Sequence, residues 1–110
     1  MHSQTTTTTI KITDYTFEGP TSSTGNLRHA TGVYVILDKR AGERWHIIDV
    51  GESSDVRMRV ENHDRQACWE RNRRGTLGVA VLYTPRWTGT QRRQLESAIR
   101  RTFHPPCGDR

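Results

Sequence analysis

Two apolar runs, separated by a short polar loop, constrain the fold of this chain more than any other feature. The first run is Gly-Val-Tyr-Val-Ile-Leu at 32–37, and the second is Trp-His-Ile-Ile-Asp-Val at 45–50. The loop between them is polar and contains one glycine. Short runs rich in β-branched residues are typical of strands, and such a loop joins antiparallel neighbours. The sequence therefore predicts a β-hairpin.

A third apolar run predicts another strand, and a helix follows it. The strand covers residues 76–83, Thr-Leu-Gly-Val-Ala-Val-Leu-Tyr, and Pro85 closes it. Residues 89–103 have amphipathic helical spacing, with Thr90 as the predicted cap and two prolines directly after the helix. The apolar stripe of this helix consists of Leu95, Ile99 and Phe103.

The segment between the second and third strands is predicted to be helical. It opens with three residues that favour helix caps, Ser53, Ser54 and Asp55. Helical character continues towards Gly75, which ends it. The residues of this segment that are predicted to face the core are Val56, Val60, His63, Cys68 and Trp69.

The element order is strand, strand, helix, strand, helix, which predicts an α+β fold. The expected sheet is small, mostly antiparallel and three-stranded, with helices flanking it. A chain of 110 residues accommodates one domain, which we place at residues 31–108. Residues 1–30 are predicted to be a flexible segment with one short strand in Ile-Lys-Ile-Thr-Asp-Tyr-Thr-Phe.

The chain is basic, which favours an acidic partner. Its net charge is +5, and every basic residue except Lys11 and Lys39 is arginine, the better bidentate ligand for phosphate. Nucleic acid, above all DNA, is the predicted partner, although genomic base composition also enriches arginine in some organisms. The residues predicted to contact the nucleic acid backbone are Arg57, Arg71, Arg73, Arg74, Arg93 and Arg100.

Targeting and cysteine patterns predict a cytoplasmic protein. No apolar stretch is long enough to span a membrane, and the N-terminus lacks the features of a signal peptide. Cys68 and Cys107 are far apart, so we expect two reduced thiols. No pair of ligands has the spacing of a zinc finger.

Four motifs, in order along the chain, resemble those of the GIY-YIG nuclease domain. They are Gly-Val-Tyr at 32–34, Asp-Val-Gly at 49–51, Gly-Glu-Ser-Ser-Asp-Val-Arg-Met-Arg-Val-Glu-Asn-His at 51–63, and Leu-Glu-Ser-Ala-Ile-Arg-Arg-Thr-Phe-His-Pro-Pro-Cys-Gly at 95–108. In that family a strand carries the first tyrosine, a neighbouring strand carries Tyr-Ile-Gly, one helix carries an arginine, and a later helix carries a metal-binding glutamate. The resemblance covers roughly residues 31–108.

The resemblance implies metal-dependent hydrolysis of DNA phosphodiester bonds. Glu96 falls on the family's metal ligand and would hold one divalent cation, Mg²⁺ or Mn²⁺. Arg59 falls on the catalytic arginine and would bind the scissile phosphate, while Tyr34 would orient or deprotonate the attacking water. His63 matches a histidine present in several members, where it could serve as a general base.

Two positions depart from the family pattern. Asp49 replaces the second tyrosine, and its carboxylate could act as a base, add a metal ligand, or repel the phosphate and mark a degenerate site. Gly108 replaces an asparagine that braces the site. The alternative function is therefore a fold relative that binds nucleic acid or a partner protein without cleavage.

Each predicted site residue also has an ordinary structural interpretation. Tyr34 and His63 could pack in the core, Arg59 could be a solvated surface arginine, and Glu96 could form a surface ion pair. If all of these hold, the chain is an unrelated small α+β interaction domain. The sequence leaves open whether the protein is a monomer or a homodimer.

Overall fold

A computed structural model of the chain describes residues 8–108. In this part of the chain, a five-stranded antiparallel sheet curls into a half-barrel, in the strand order β1-β2-β5-β3-β4. The strands are β1 (Thr9–Ile12), β2 (Tyr15–Thr21), β3 (Gly32–Arg40), β4 (Arg44–Ser53) and β5 (Thr76–Tyr83). The helices are α1 (Val56–Glu61), α2 (Gln66–Asn72) and α3 (Gly89–Phe103).

The predicted three-stranded sheet is wrong, because residues 9–21 add two strands to it. Ile12 pairs with Tyr15 across a two-residue turn, so the stretch predicted to hold one short strand folds as a β1–β2 hairpin. β2 then pairs with the edge of β5 that β3 leaves free. Ile12 and Phe17 are buried in the main core, which provides the hydrophobic energy for this addition. Of residues 1–30, which were predicted to be flexible, residues 1–7 lie outside the described part of the chain.

The central hairpin and the third strand are confirmed. β3 pairs antiparallel with β4 on one side and with β5 on the other, which makes β3 the middle of this three-strand group. Opposite Ile36 the β4 register shifts by one residue, so Ile36 faces Asp49 and Leu37 faces Ile47. A shift of this kind is a β-bulge, which bends and twists the strand locally.

β3 is buried on both faces, which explains its unbroken apolar run. Val33, Val35 and Leu37 pack with residues of α3 on one face. On the other face, Tyr34 and Ile36 pack with the buried residues of α1 and α2. Because successive side chains of a strand point to opposite faces, both layers draw on this one strand.

The helix limits differ in detail from those expected. Asp55 caps α1 by accepting a hydrogen bond from the Met58 N–H at 3.0 Å. α3 is capped by Thr88 instead of Thr90, since Thr88 and Gln91 exchange two hydrogen bonds in a capping box. Phe103 is 44% exposed and does not belong to the buried stripe. No helix within residues 8–108 combines the length and apolar character needed to cross a bilayer.

The expectation of two reduced thiols is wrong. Cys68 and Cys107 form a disulfide that joins α2 to the segment after α3. The sequence did not indicate this pairing, because the two cysteines are 39 residues apart. They come together only where α2 and the segment after α3 both contact β4. The Cys107 N–H also donates to the Ile48 carbonyl at 3.0 Å, so the chain end is fastened to β4 as well.

Candidate active site

Tyr34 lies at the centre of the candidate site, on the sheet face that α1 and α2 cover. It pairs with Gly51 across the β3–β4 ladder, and its ring lies directly over that glycine. A Cβ atom at position 51 would collide with the phenol oxygen of Tyr34. The glycine that ends the Asp-Val-Gly motif is therefore required by the close approach of the tyrosine, not by an unusual backbone angle.

Gly51→Ala should displace Tyr34 and lower the free energy of unfolding by about 1–3 kcal/mol, as overpacking of a buried position does. Gly25→Ala is the matched control, because a Cβ there meets only Ser23 Oγ at 3.4 Å, an ordinary contact. We expect the control to change stability by less than about 0.5 kcal/mol. Urea unfolding of both variants is the measurement, and equal losses would contradict the role assigned to Gly51.

Tyr34 forms a buried hydrogen-bonded pair with His63. The phenol oxygen lies 2.7 Å from His63 Nε2, and the Arg65 N–H donates to His63 Nδ1 at 3.0 Å. Because Nδ1 accepts that bond, the proton of the neutral ring resides on Nε2 and is donated to Tyr34. The hydroxyl proton of Tyr34 is consequently left for a different acceptor.

The protonation states of this pair follow from its surroundings. Burial raises the pKa of Tyr34 to about 12, although the positive charge of Arg59 opposes the shift. Burial lowers the pKa of His63 to about 4, and the charges of Arg59 and Arg65 add to that effect. Both side chains are therefore neutral near pH 7, with Tyr34 as a hydrogen-bond donor and His63 as the group that holds it.

Asp49 lies behind this pair and organises it. Its fully buried carboxylate accepts from Arg65 Nε and Trp69 Nε1, both at 2.8 Å, and from Arg100 Nη2 at 3.0 Å. Arg65 Nη2 and the Val50 N–H complete the set, at 3.2 and 2.8 Å. A carboxylate offers about four lone-pair sites, and these five donors occupy both oxygens. Asp49, predicted as a catalytic residue, has no lone pair left for a metal or a water.

Both departures from the family pattern belong to one arrangement around Arg100. Besides Asp49, this arginine donates to the Val50 carbonyl at 2.6 Å and to the Cys107 carbonyl at 2.9 Å. A Cβ at Gly108 would collide with the guanidinium, and the φ of Gly108 is +101°. Asp49 attracts Arg100 inward, and Gly108 leaves the room for it. Arg100 therefore braces the site, with a side chain that is only 15% exposed. It was predicted to contact the nucleic acid backbone, but its guanidinium is already occupied by these protein contacts.

Glu96 lies on α3 next to this brace, and Glu52 of β4 lies nearby. The Glu96 carboxylate is 3.6 Å from Arg100 Nη2, and its side chain is 24% exposed. Burial raises the pKa of Glu96, and the negative charge of Glu52 adds to the shift while Arg100 opposes it. Glu52 itself is paired with Arg92 at 2.8 Å.

The carboxylates of Glu96 and Glu52 could provide a divalent cation with only a few of its oxygen ligands. Burial and a neighbouring negative charge disfavour ionised Glu96, and a hard cation held by oxygen ligands would relieve both effects. Within residues 8–108, no three His, Cys, Asp or Glu side chains converge on one point. Glu96, supported by Glu52, would therefore hold a cation that keeps most of its own waters.

Arg59 is at the open side of the Tyr34–His63 pair. It extends from α1 with 39% of its side chain exposed, and its one ion pair among the described residues is with Asp64 at 3.3 Å. Its charge opposes the rise in the pKa of Tyr34 and depresses the pKa of His63, so it faces both rings. Arg59 is thus placed to meet an anion that reaches this pair.

The other predicted DNA contacts are distributed over the surface. Arg57 pairs with Glu61 at 3.3 Å, Arg73 with Glu70 at 3.4 Å, and Arg93 with the Thr90 hydroxyl at 3.3 Å. The remaining two, Arg71 and Arg74, are exposed at the end of α2 and in the connection to β5. Buried Asp38 accepts from the backbone N–H groups of Arg74 and Gly75, which fixes this connection.

Sequence reasoning missed Arg65 and Trp69 as partners of Asp49. Both follow the His63 motif, but nothing in their spacing connects them to a residue on β4. The only available signal was the buried aspartate itself, which needs compensating charge. The chain matches no protein-family model, no curated protein and no solved structure.

Proposed function

We propose that this protein is a small endonuclease of the GIY-YIG type that hydrolyses phosphodiester bonds of DNA. One observation carries the proposal: a neutral tyrosine–histidine pair, an exposed arginine and a half-buried glutamate surround one network of charges. Tyr34 and Glu96 come from distant parts of the chain, yet Asp49 and Arg65 influence the pKa of both. Such convergence of perturbed titratable groups marks candidate functional sites.

The proposed roles combine the resemblance to the nuclease family with the contacts of each side chain. Arg59 would bind the non-bridging oxygens of the phosphate through its guanidinium fork. Tyr34 would donate a hydrogen bond to a non-bridging phosphate oxygen, because His63 occupies its acceptor side, and the proton of the attacking water would pass to solvent. Glu96 and Glu52 would hold Mg²⁺ or Mn²⁺, which neutralises phosphate charge and assists the leaving group when bound.

Nicking of supercoiled plasmid with Mg²⁺ or Mn²⁺ tests this proposal. Wild type should nick, whereas Glu96→Gln and Tyr34→Phe should each reduce the rate by about a hundredfold or more, as loss of one catalytic group does. Glu70→Gln is the control, because it removes a carboxylate that is 64% exposed and lies on α2. A wild type that nicks as fast as Glu96→Gln would contradict the assignment.

A second candidate function is nucleic acid binding without cleavage. It is favoured by Arg100, whose guanidinium already lies 3.6 Å from Glu96 and so gives that carboxylate a protein cation. The saturated Asp49 carboxylate likewise offers nothing to a metal. Salt-sensitive DNA binding with no nicking in either metal would support this candidate over the first.

We propose the cytoplasm as the location, where nucleic acid substrates are accessible. Disulfides are rare in reducing compartments, so this location requires the Cys68–Cys107 bond to resist cellular thiols. Cys107 is completely buried, whereas Cys68 is only partly buried, so a thiol would have to attack the Cys68 sulfur.

A further inference from the structure

We propose that Arg65 is a phosphate-binding residue of this site and that Asp49 is the positioning residue that holds it ready. The ligand is a phosphodiester oxyanion, so the inference rests on the proposed binding of nucleic acid but not on cleavage. No motif of the sequence pointed to Arg65.

The contacts of Arg65 leave one edge of its guanidinium free. Nε and Nη2 both donate to Asp49, in the side-on fork that arginine forms with carboxylates. Within residues 8–108, Nη1 has no hydrogen-bond acceptor, and the side chain is 25% exposed. The free N–H groups are therefore available to an anion from solvent.

Arg65 is also placed beside the reactive groups. Its backbone N–H sets the tautomer of His63, and its charge affects the pKa values of Tyr34, His63 and Glu96. The charge of Arg65 thus acts on the Tyr34–His63 pair and also on Glu96, although Glu96 belongs to α3, which packs on the opposite face of the sheet. A phosphate held at the Tyr34–His63 pair would lie next to the segment that carries Arg65, because the Arg65 N–H is hydrogen-bonded to His63 Nδ1 at 3.0 Å.

The other two arginines of the site serve less well as a fixed phosphate ligand. Arg59 contacts Tyr34 and pairs with Asp64 at 3.3 Å, but its side chain is 39% exposed, so binding must first order more of it. Arg100 donates to a carboxylate and two carbonyls and is 15% exposed, which leaves it committed to the protein. Arg65 combines restraint with a free edge, and restraint lowers the entropic cost of binding.

Asp49 pairs with two arginines, of which Arg100 is also shared with Glu96 at 3.6 Å. Arg65 is the one of the two that has no second carboxylate in its ion pairs among the described residues. Because all the acceptor positions of Asp49 are taken by donors, its charge is covered on the side of a bound phosphate. The aspartate is buried behind the arginines, which present their charge towards the site.

Binding of a fluorescent DNA duplex over a series of salt concentrations tests the role of Arg65. Arg65→Gln should weaken binding about tenfold and reduce the slope of log K against log salt by about 0.9, the value for one lost phosphate contact. Arg65→Lys should keep most of the slope and lose part of the affinity, because it retains the charge but not the fork. Arg44→Gln removes an exposed charge at the far end of the β3–β4 hairpin and should change neither quantity.

A purely structural Arg65 would leave the salt slope of a folded variant unchanged, and that result would overturn the inference. Arg65→Gln keeps Asp49 paired with Arg100, and urea unfolding reports whether it folds. If it does not fold, titration of the wild type with inorganic phosphate, followed by NMR of the arginine side-chain N–H groups, decides. Saturable shifts of Arg65 support the proposal, and their absence refutes it.

Arg59→Gln separates this inference from the proposed function. Binding that depends on Arg59 but not on Arg65 would refute only the role of Arg65. No measurable binding of DNA by wild type would refute the proposed function itself.

Discussion

Asp49→Asn is expected to lower the free energy of unfolding by about 3–5 kcal/mol, the cost of breaking a buried ion pair by removing one partner. The wild-type carboxylate is fully buried and compensates for two guanidinium groups, Arg65 and Arg100. The isosteric amide keeps the volume and can still accept from Trp69. It leaves Arg65 without its carboxylate partner and Arg100 with only the longer pair to Glu96 at 3.6 Å, and its own NH₂ group faces the donors of both arginines. Urea denaturation monitored by tryptophan fluorescence is the measurement.

Two further variants make that test specific. Glu70→Gln breaks the exposed Arg73–Glu70 pair and should cost less than about 1 kcal/mol. Adding Arg100→Met to Asp49→Asn removes one of the two cations that lost the Asp49 carboxylate. The double variant should therefore recover part of the lost free energy of unfolding. A loss below about 1 kcal/mol in Asp49→Asn would show that Asp49 does not organise the site.

Loss of the Cys68–Cys107 disulfide is expected to lower the free energy of unfolding by about 2–4 kcal/mol. The two cysteines are 39 residues apart, and the entropy of closing such a loop in the unfolded chain corresponds to about 4 kcal/mol. Reduction also loosens the chain end, whose Cys107 carbonyl accepts from Arg100 and whose N–H is bonded to Ile48. We expect destabilisation and a less restrained Arg100.

The measurement is urea unfolding with and without a phosphine reductant, for wild type and for the Cys68→Ala, Cys107→Ala double variant. The reductant should shift the midpoint of wild type and leave that of the double variant unchanged. Equal midpoints for oxidised and reduced wild type would contradict a stabilising role for the bond.

Local patterns were sufficient for the elements that bury a continuous apolar surface. The β3–β4 hairpin, β5 and α3 were predicted from runs and spacings, and the structure confirms them. The sequence predicted β1 and β2 as one strand and not as two, because the turn between them contains no glycine. Thr13 adopts a φ of 56° in that turn, a conformation that sequence patterns assign first to glycine or asparagine.

Contacts between residues that are distant in sequence could not be predicted, for a different reason. Two distant cysteines give no sign that α2 and the chain end meet at one sheet edge. The same holds for Asp49, whose partners Arg65, Trp69 and Arg100 come from three separate elements. Its buried charge requires compensation, but sequence spacing does not identify the partner.

The sequence alone determined the strands and helices that a local apolar pattern defines and the basic character of the chain, whereas the roles proposed for Tyr34, Arg59 and Glu96 rest on the resemblance to a nuclease family. Only the tertiary structure decided that Tyr34 is hydrogen-bonded to His63 and that donors occupy all the acceptor positions of the Asp49 carboxylate. It also decided that the Arg100 guanidinium is used within the protein, whereas Nη1 of Arg65 is left for a ligand. The physical reason is the distance along the chain over which each interaction acts. Hydrophobic periodicity acts within one element, whereas the partners of a buried polar group are chosen by which elements pack together.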